Sequence, residues 1–133
     1  MYLKMKFWED LKLNNKNIGN KFENELAEKL SKKGYWATLL TPKAHIGSQP
    51  CDIIAIKNNK PILIDAKTSS TYLFPIERIE ENQKNAFERY KKCGNADFIL
   101  AIKYKNKVYY KNLKDINFKD KSFDIRKERI WNL

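Results

Sequence analysis

Asp52-Ile53-Ile54-Ala55-Ile56-Lys57-Asn58-Asn59-Lys60-Pro61-Ile62-Leu63-Ile64-Asp65-Ala66-Lys67 reads as a β-hairpin. Two runs rich in isoleucine flank Asn58-Asn59, a pair suited to the positive φ angles of a two-residue turn. With those two residues at the turn, Lys57 faces Lys60 and the ladder carries Asp52 to a position opposite Asp65. Directly opposed residues have Cβ atoms about 4.5–5.5 Å apart, and like charges there are destabilising. The two-residue period puts Leu63, Asp65 and Lys67 on one face, together with Asp52 and Ile54. Such a carboxylate pair offers hard oxygen ligands to a cation such as Mg²⁺, which would relieve the repulsion. The alternative is a pair of solvent-facing charges on a half-exposed strand. Near-continuous apolar runs argue for a sheet covered on both faces, yet the pattern alone leaves both readings open.

Working outward, Tyr35 to Thr41 reads as a strand, followed by a polar loop from Pro42 to Pro50. Before it, Ile18, Phe22, Leu26, Ala27 and Leu30 recur at helical spacing from Asn17 to Lys33, with Gly34 as terminator. After the hairpin, Ile76, Ile79, Ala86, Phe87, Tyr90 and Cys93 repeat the helical spacing until Gly94. Asp97 to Lys103 and Lys107 to Lys111 read as strands joined near Lys105-Asn106. The tail from Leu113 holds enough apolar residues to pack on the body, with a short helix expected near Asp124 to Trp131. The order αβββαββ predicts an α/β fold, a mixed β-sheet flanked by helices.

At 133 residues the chain suits a single domain, 1–133, with a core about 17–113, an N-terminal arm and a C-terminal tail. No window approaches the roughly 18 apolar residues of a membrane span, and the first residues lack a signal-peptide core, so a cytoplasmic protein is expected. Two cysteines and one histidine are too few for a structural zinc site, so any metal must bind through oxygen. Cys51 and Cys93 are expected to be free thiols. The net charge of +11, with 27 Lys and Arg against 16 Asp and Glu, points to a polyanionic partner, nucleic acid first. A codon bias toward lysine would explain the many Lys but not the shortage of acids.

Cys51-Asp52-Ile53-Ile54-Ala55 followed by Ile64-Asp65-Ala66-Lys67 resembles the PD-(D/E)XK nuclease signature. Within that superfamily the likeness is to Holliday-junction resolvases. Gly19-Asn20-Lys21-Phe22-Glu23 resembles the helix-one motif of archaeal Hjc-type resolvases, and Phe74-Pro75-Ile76 followed by Gln83 resembles a segment of the RecU-type enzymes of Gram-positive bacteria. The likeness runs from about Gly19 to Lys111, and Cys51 separates Pro50 from Asp52, so the literal PD dipeptide is absent.

The resemblance implies a restriction-endonuclease-like fold and a metal-dependent endonuclease that hydrolyses DNA phosphodiester bonds at four-way junctions. It implies Mg²⁺ (or Mn²⁺) held by Asp52, Asp65, the carbonyl of Ala66 and Glu23, with Lys67 beside the nucleophile and Gln83 nearby. It also implies branched DNA as partner and a homodimer. Glu23 falls inside the apolar arc of the first helix and Glu25 just outside, although a flank charge on an amphipathic helix has the same signature. Gln83 lies on the inner face of the second helix, where a satisfied core glutamine is the alternative. Lys43, Ser48, Arg78 and Lys84 are candidate nucleic-acid contacts, with solvated charge or a turn hydroxyl as the plain reading. His45 is a weaker candidate. Trp8, Trp36 and Trp131 suit a core or dimer interface better than base stacking. Competing functions are another nuclease on the same fold, restriction-like, repair or RNA-directed, and a non-catalytic nucleic-acid-binding module.

Overall fold

The computed structural model describes residues 21–40, 49–95 and 97–133. The first helix, α1, covers the described residues 21–32 and stops as expected. Gly34 has φ +90°, Tyr35 N–H donates to Leu30 C=O and Gly34 N–H to Ser31 C=O, the double bond pattern that closes a helix through a left-handed glycine. Strand β1 is Trp36–Leu39, β2 is Ile53–Lys57 and β3 is Lys60–Thr68. Between β2 and β3, Asn58 and Asn59 have φ of 53° and 62°, as a two-residue hairpin turn with right-handed strand twist requires. The predicted register holds from Lys57↔Lys60 to Ile53↔Ile64.

After β3 come β4 (Leu73–Pro75), a 3₁₀ turn (Ile76–Arg78) and α2 (Glu81–Lys92). The second helix was expected from Ile76; it begins at Glu81 instead. Ile76 and Ile79 are both buried, and their spacing serves a 3₁₀ turn as well as an α-helix, so periodicity could not tell them apart. Glu80 then restarts the chain in an extended conformation, and its side chain and that of Gln83 cap each other's backbone N–H.

Strands β5 (Phe98–Tyr104) and β6 (Lys107–Asn112) turn at Lys105 and Asn106, both with positive φ. The tail forms a 3₁₀ turn (Leu113–Asp115), β7 (Ser122–Asp124), a second turn (Ile125–Lys127) and β8 (Arg129–Ile130), not the expected helix. The open edge of β6 takes up β8, with Tyr109 facing Ile130, and β7 pairs with β4 in a separate two-stranded sheet. A lone tail helix would have left both edges without partners.

The main sheet has six strands in the order β1-β2-β3-β5-β6-β8, and only β3 and β5 run parallel. A parallel neighbour demands a long crossover, here the segment containing β4 and α2. Each sheet face has its own core. Phe22, Leu26 and Leu30 of α1 pack on Ile53, Ala55, Ile64 and Ala101; Ala86 and Phe87 of α2 join Phe74, Phe98, Leu100 and Ile102 on the other face. Fully burying side chains of this size contributes about 1.5–3 kcal/mol each, so the two-sided sheet is a rigid mount for whatever its strand ends carry.

Both cysteines are free, Cys51 buried and Cys93 exposed, as expected. Burial pushes the Cys51 thiol up to about 12, so it is a packing residue rather than a reactive one. Trp131 packs on Tyr110, whereas Trp36 is 61% exposed, which rules out the core as its place in this chain. No helix among the described residues is long and apolar enough to cross a membrane.

Candidate active site

The ladder between β2 and β3 ends one residue before the carboxylates. Asp52 was expected inside the strand, directly opposite Asp65. Instead its N–H donates to Ile64 C=O at 2.9 Å, outside the run of paired residues. Where β2 stops, the N–H of Ala66 would lack a strand partner; Asp52 Oδ2 accepts it at 2.8 Å. The carboxylate thus takes the place of a neighbouring strand.

Asp65 remains beside Asp52. It is 2% exposed, and burial, helped by the negative charge of Asp52 and opposed by Lys67, pushes its carboxyl up to about 8. Lys67 Nζ stands 3.4 Å from Asp65 Oδ2. That contact is an ion pair without hydrogen-bond geometry, and Oδ2 is buried with no hydrogen-bond partner among the described residues. The register carries Lys67 and Asp65 on the face that Leu63 and Ile54 pack toward α2, as the two-residue period predicts.

Glu23 reaches the same cluster from α1. It is half-buried, and burial first, then Asp52, raise its carboxyl to about 7 against the pull of Lys67. Glu25 points elsewhere, paired with Lys103 at 3.1 Å, which agrees with the helical-arc reading that separated the two. Glu23, Asp52, Asp65 and Lys67 therefore form one electrostatic group drawn from α1, β3 and the residue just before β2.

This donor set suits a hard divalent cation. It contains oxygen ligands, a buried carboxylate oxygen without a hydrogen-bond partner among the described residues, and two acids, Glu23 and Asp65, whose carboxyls burial raises. Among the described residues, no three His, Cys, Asp or Glu side chains gather tightly enough to hold a metal by themselves. Mg²⁺ is usually held by one or two carboxylates and keeps several waters, so a carboxylate pair is sufficient.

Gln83 is buried on α2 as expected, but its amide oxygen accepts the Glu80 N–H at 2.9 Å, and no hydrogen bond joins it to the acids. Arg78 is exposed, its guanidinium lying over the Phe74 ring, and Lys84 sits over Phe118 and 3.8 Å from Glu81. Neither hydrogen-bonds the acidic group. Lys43, Ser48 and His45 lie outside the described residues, as do Trp8 and Gly19. Sequence reading passed over Gln49, whose Nε2 donates to Asp52 Oδ1 at 2.8 Å, and Asn82, whose Nδ2 donates to the Gln49 carbonyl at 2.9 Å. Neither has a periodicity or charge signature; both are ordinary polar residues until the fold joins them.

No curated protein matches the chain. Among solved structures it is similar to the Hjc Holliday junction resolvase of the archaeal hyperthermophile Archaeoglobus fulgidus, with a TM-score of 0.62 and 18% identity over 78% of this chain and 85% of that one. At that identity the likeness establishes the fold. A sequence model of the archaeal Holliday junction resolvase family, Hjc, matches residues 14–131. The match takes in Glu23, Asp52, Asp65 and Lys67 together with both helices and the whole sheet, and the chain belongs to the archaeal Hjc family of Holliday junction resolvases.

Proposed function

We propose that this resolvase cuts DNA at four-way junctions through a Mg²⁺ or Mn²⁺ site built on the Asp52 and Asp65 pair and the Ala66 carbonyl, with help from Glu23 and with Lys67 as the catalytic cation. The observation that carries the reading is the buried Asp65 Oδ2, which has Lys67 Nζ 3.4 Å away and no hydrogen-bond partner among the described residues. A buried carboxylate oxygen left in that state costs free energy unless a proton or a cation meets it.

When bound, the cation supplies Lewis-acid chemistry, lowering the pKa of water and drawing charge from the scissile phosphate. Asp52 and Asp65 would fix the position of the reacting centre, because Asp52 is held by the Ala66 N–H and Asp65 is locked by burial. Lys67, 16% exposed at its side chain and fixed beside Asp65, would offset negative charge that grows on the phosphoryl oxygens. Glu23, with its carboxyl near 7, can take up or release a proton close to neutral pH. Gln83 would serve by fixing the start of α2. Lys43, Ser48, Arg78 and Lys84 would contact the DNA backbone, and the +11 net charge supports a polyanion partner.

A four-way junction has near two-fold symmetry and needs two cuts, so the working form is a C2 homodimer. A DNA substrate would place it in the cytoplasm. The purified chain, given Mg²⁺ or Mn²⁺ and labelled four-way junction, linear duplex, single strand and RNA, should make paired, symmetric cuts confined to the junction. Equal cutting of linear duplex, or unchanged cutting in chelator, would defeat this reading.

A further inference from the structure

The chain entering β2 is tied down at two points. Asn82 Nδ2, on the first turn of α2, donates to the Gln49 carbonyl at 2.9 Å, and Gln49 Nε2 donates to Asp52 Oδ1 at 2.8 Å. The other Asp52 oxygen takes the Ala66 N–H at 2.8 Å, so both oxygens of this carboxylate are held by donors. A carboxylate gripped at both oxygens has one available orientation.

Gln49 has a second feature. Its Oε1 is buried and has no hydrogen-bond partner among the described residues. Turning the amide over would not help, since it would set the amide oxygen against Asp52 Oδ1, which accepts from the NH₂ group where it stands. A buried acceptor without a donor costs about 1–3 kcal/mol. Among the described residues, the other buried side-chain atom in this condition is Oδ2 of Asp65, which is coupled to Asp52. Two stranded oxygens thus flank one carboxylate: among the described residues neither has a hydrogen-bond partner, and only Asp65 Oδ2 has a cation near it, the Lys67 ammonium at 3.4 Å.

We infer that Gln49 is a positioning residue of the metal site: its Nε2 sets the Asp52 carboxylate, its Oε1 accepts a hydrogen bond from the cation's hydration water, and Asn82 holds Gln49 in place. Mg²⁺ gives up water reluctantly, so its retained waters need acceptors, and a buried amide oxygen beside a ligand carboxylate provides one. This role rests on the metal-site reading above, and it assigns to a side chain of the loop before β2 a part that the acids alone do not fill.

The test uses the full chain without DNA, with Mn²⁺ binding followed by calorimetry. Gln49→Leu keeps the approximate bulk and removes both polar groups; it should weaken Mn²⁺ binding about 10–100-fold, the usual effect of losing an outer-sphere partner. Its metal-free Tm should change little, because loss of the Nε2 donor to Asp52 is offset by removal of a stranded acceptor. Asn82→Ala should weaken binding less, and adding it to Gln49→Leu should change little, since Asn82 acts through Gln49. A merely structural loop staple would lower Tm and leave Mn²⁺ affinity unchanged; that result overturns the inference, as does full additivity of the two substitutions. If Gln49→Leu does not fold, Asn82→Ala decides alone, and unaltered affinity counts against Gln49. Absence of Mn²⁺ binding by the unsubstituted chain sinks the metal site itself together with this inference, whereas intact binding there and in both variants sinks only the role of Gln49.

Discussion

From Lys60 to Ile64, β3 is paired residue by residue with β2; from Asp65 to Thr68 its ladder partner among the described residues is β5. After Lys60 the first half is apolar, and its Ile64 side chain is fully buried in the α1-side core. The second half begins with a buried acid and a lysine 3.4 Å from it. Where the neighbouring strand withdraws, a backbone N–H is released and Asp52 fills it with a carboxylate, which brings charge into a place the paired half has no room for. One strand can thus anchor a core and present chemistry at its end, because the change depends on where its neighbour stops rather than on the strand itself.

The sharpest way to separate the two halves is to alter adjacent residues. Asp65→Asn should lower junction cleavage by at least about 10³-fold while junction binding persists, as expected when a cation ligand for the transition state is lost. Above pH 8 its metal-free Tm should equal or exceed that of the original chain, since a buried charge has been removed. Cleavage assays, gel-shift titration and calorimetry check each part. Ile64→Ala should behave oppositely, costing about 2–5 kcal/mol in denaturant unfolding and leaving the chemistry of the folded fraction intact. If Ile64→Ala abolished cleavage without loss of stability, the division of labour along β3 would be wrong.

A third outcome concerns protons. The carboxyls of Asp65 and Glu23 are raised from 3.8 to about 8 and from 4.5 to about 7. The folded chain therefore holds protons that the unfolded chain has released between about pH 4 and 8, and stability must fall as pH rises through that window. Metal-free protein should lose several degrees of Tm between about pH 5 and 8, and millimolar Mg²⁺ should restore it at pH 8 but little at pH 5. A Tm independent of pH and of Mg²⁺ would leave the acids uncoupled. The smallest effect should come from the other end of the hairpin. Asn59→Ala, at φ 62°, should cost about 1–2 kcal/mol, whereas Asn59→Gly should be near neutral, with cleavage by the folded protein unchanged in both.

Much of this was legible in the chain. The Asn58-Asn59 turn, the register that follows from it, the glycine stops at Gly34 and Gly94 and the placing of Asp65 with Lys67 all depend on residues close in sequence, where φ preference and side-chain period act directly. Glu23 could be distinguished from Glu25 for the same reason, by its angle on a single helix. Misreadings fell where local pattern was shared by two structures: Ile76 and Ile79 suited a 3₁₀ turn as well as a helix, and the tail residues served as edge strands.

Tertiary structure alone decided which groups meet. The Ala66 N–H and Asp52 are 14 residues apart, and Asn82 and Gln49 are 33 apart. Hydrogen bonds of that range follow from which strand ends are left unpaired once both faces of the sheet are buried. No window of the sequence contains that information. The amino-acid order thus specified the acids and the elements that carry them. The raised carboxyls of Glu23 and Asp65 arise from burial, and the grip on Asp52 by Ala66 and Gln49 from a non-local donor and a loop side chain, which come together only after the chain has closed around them.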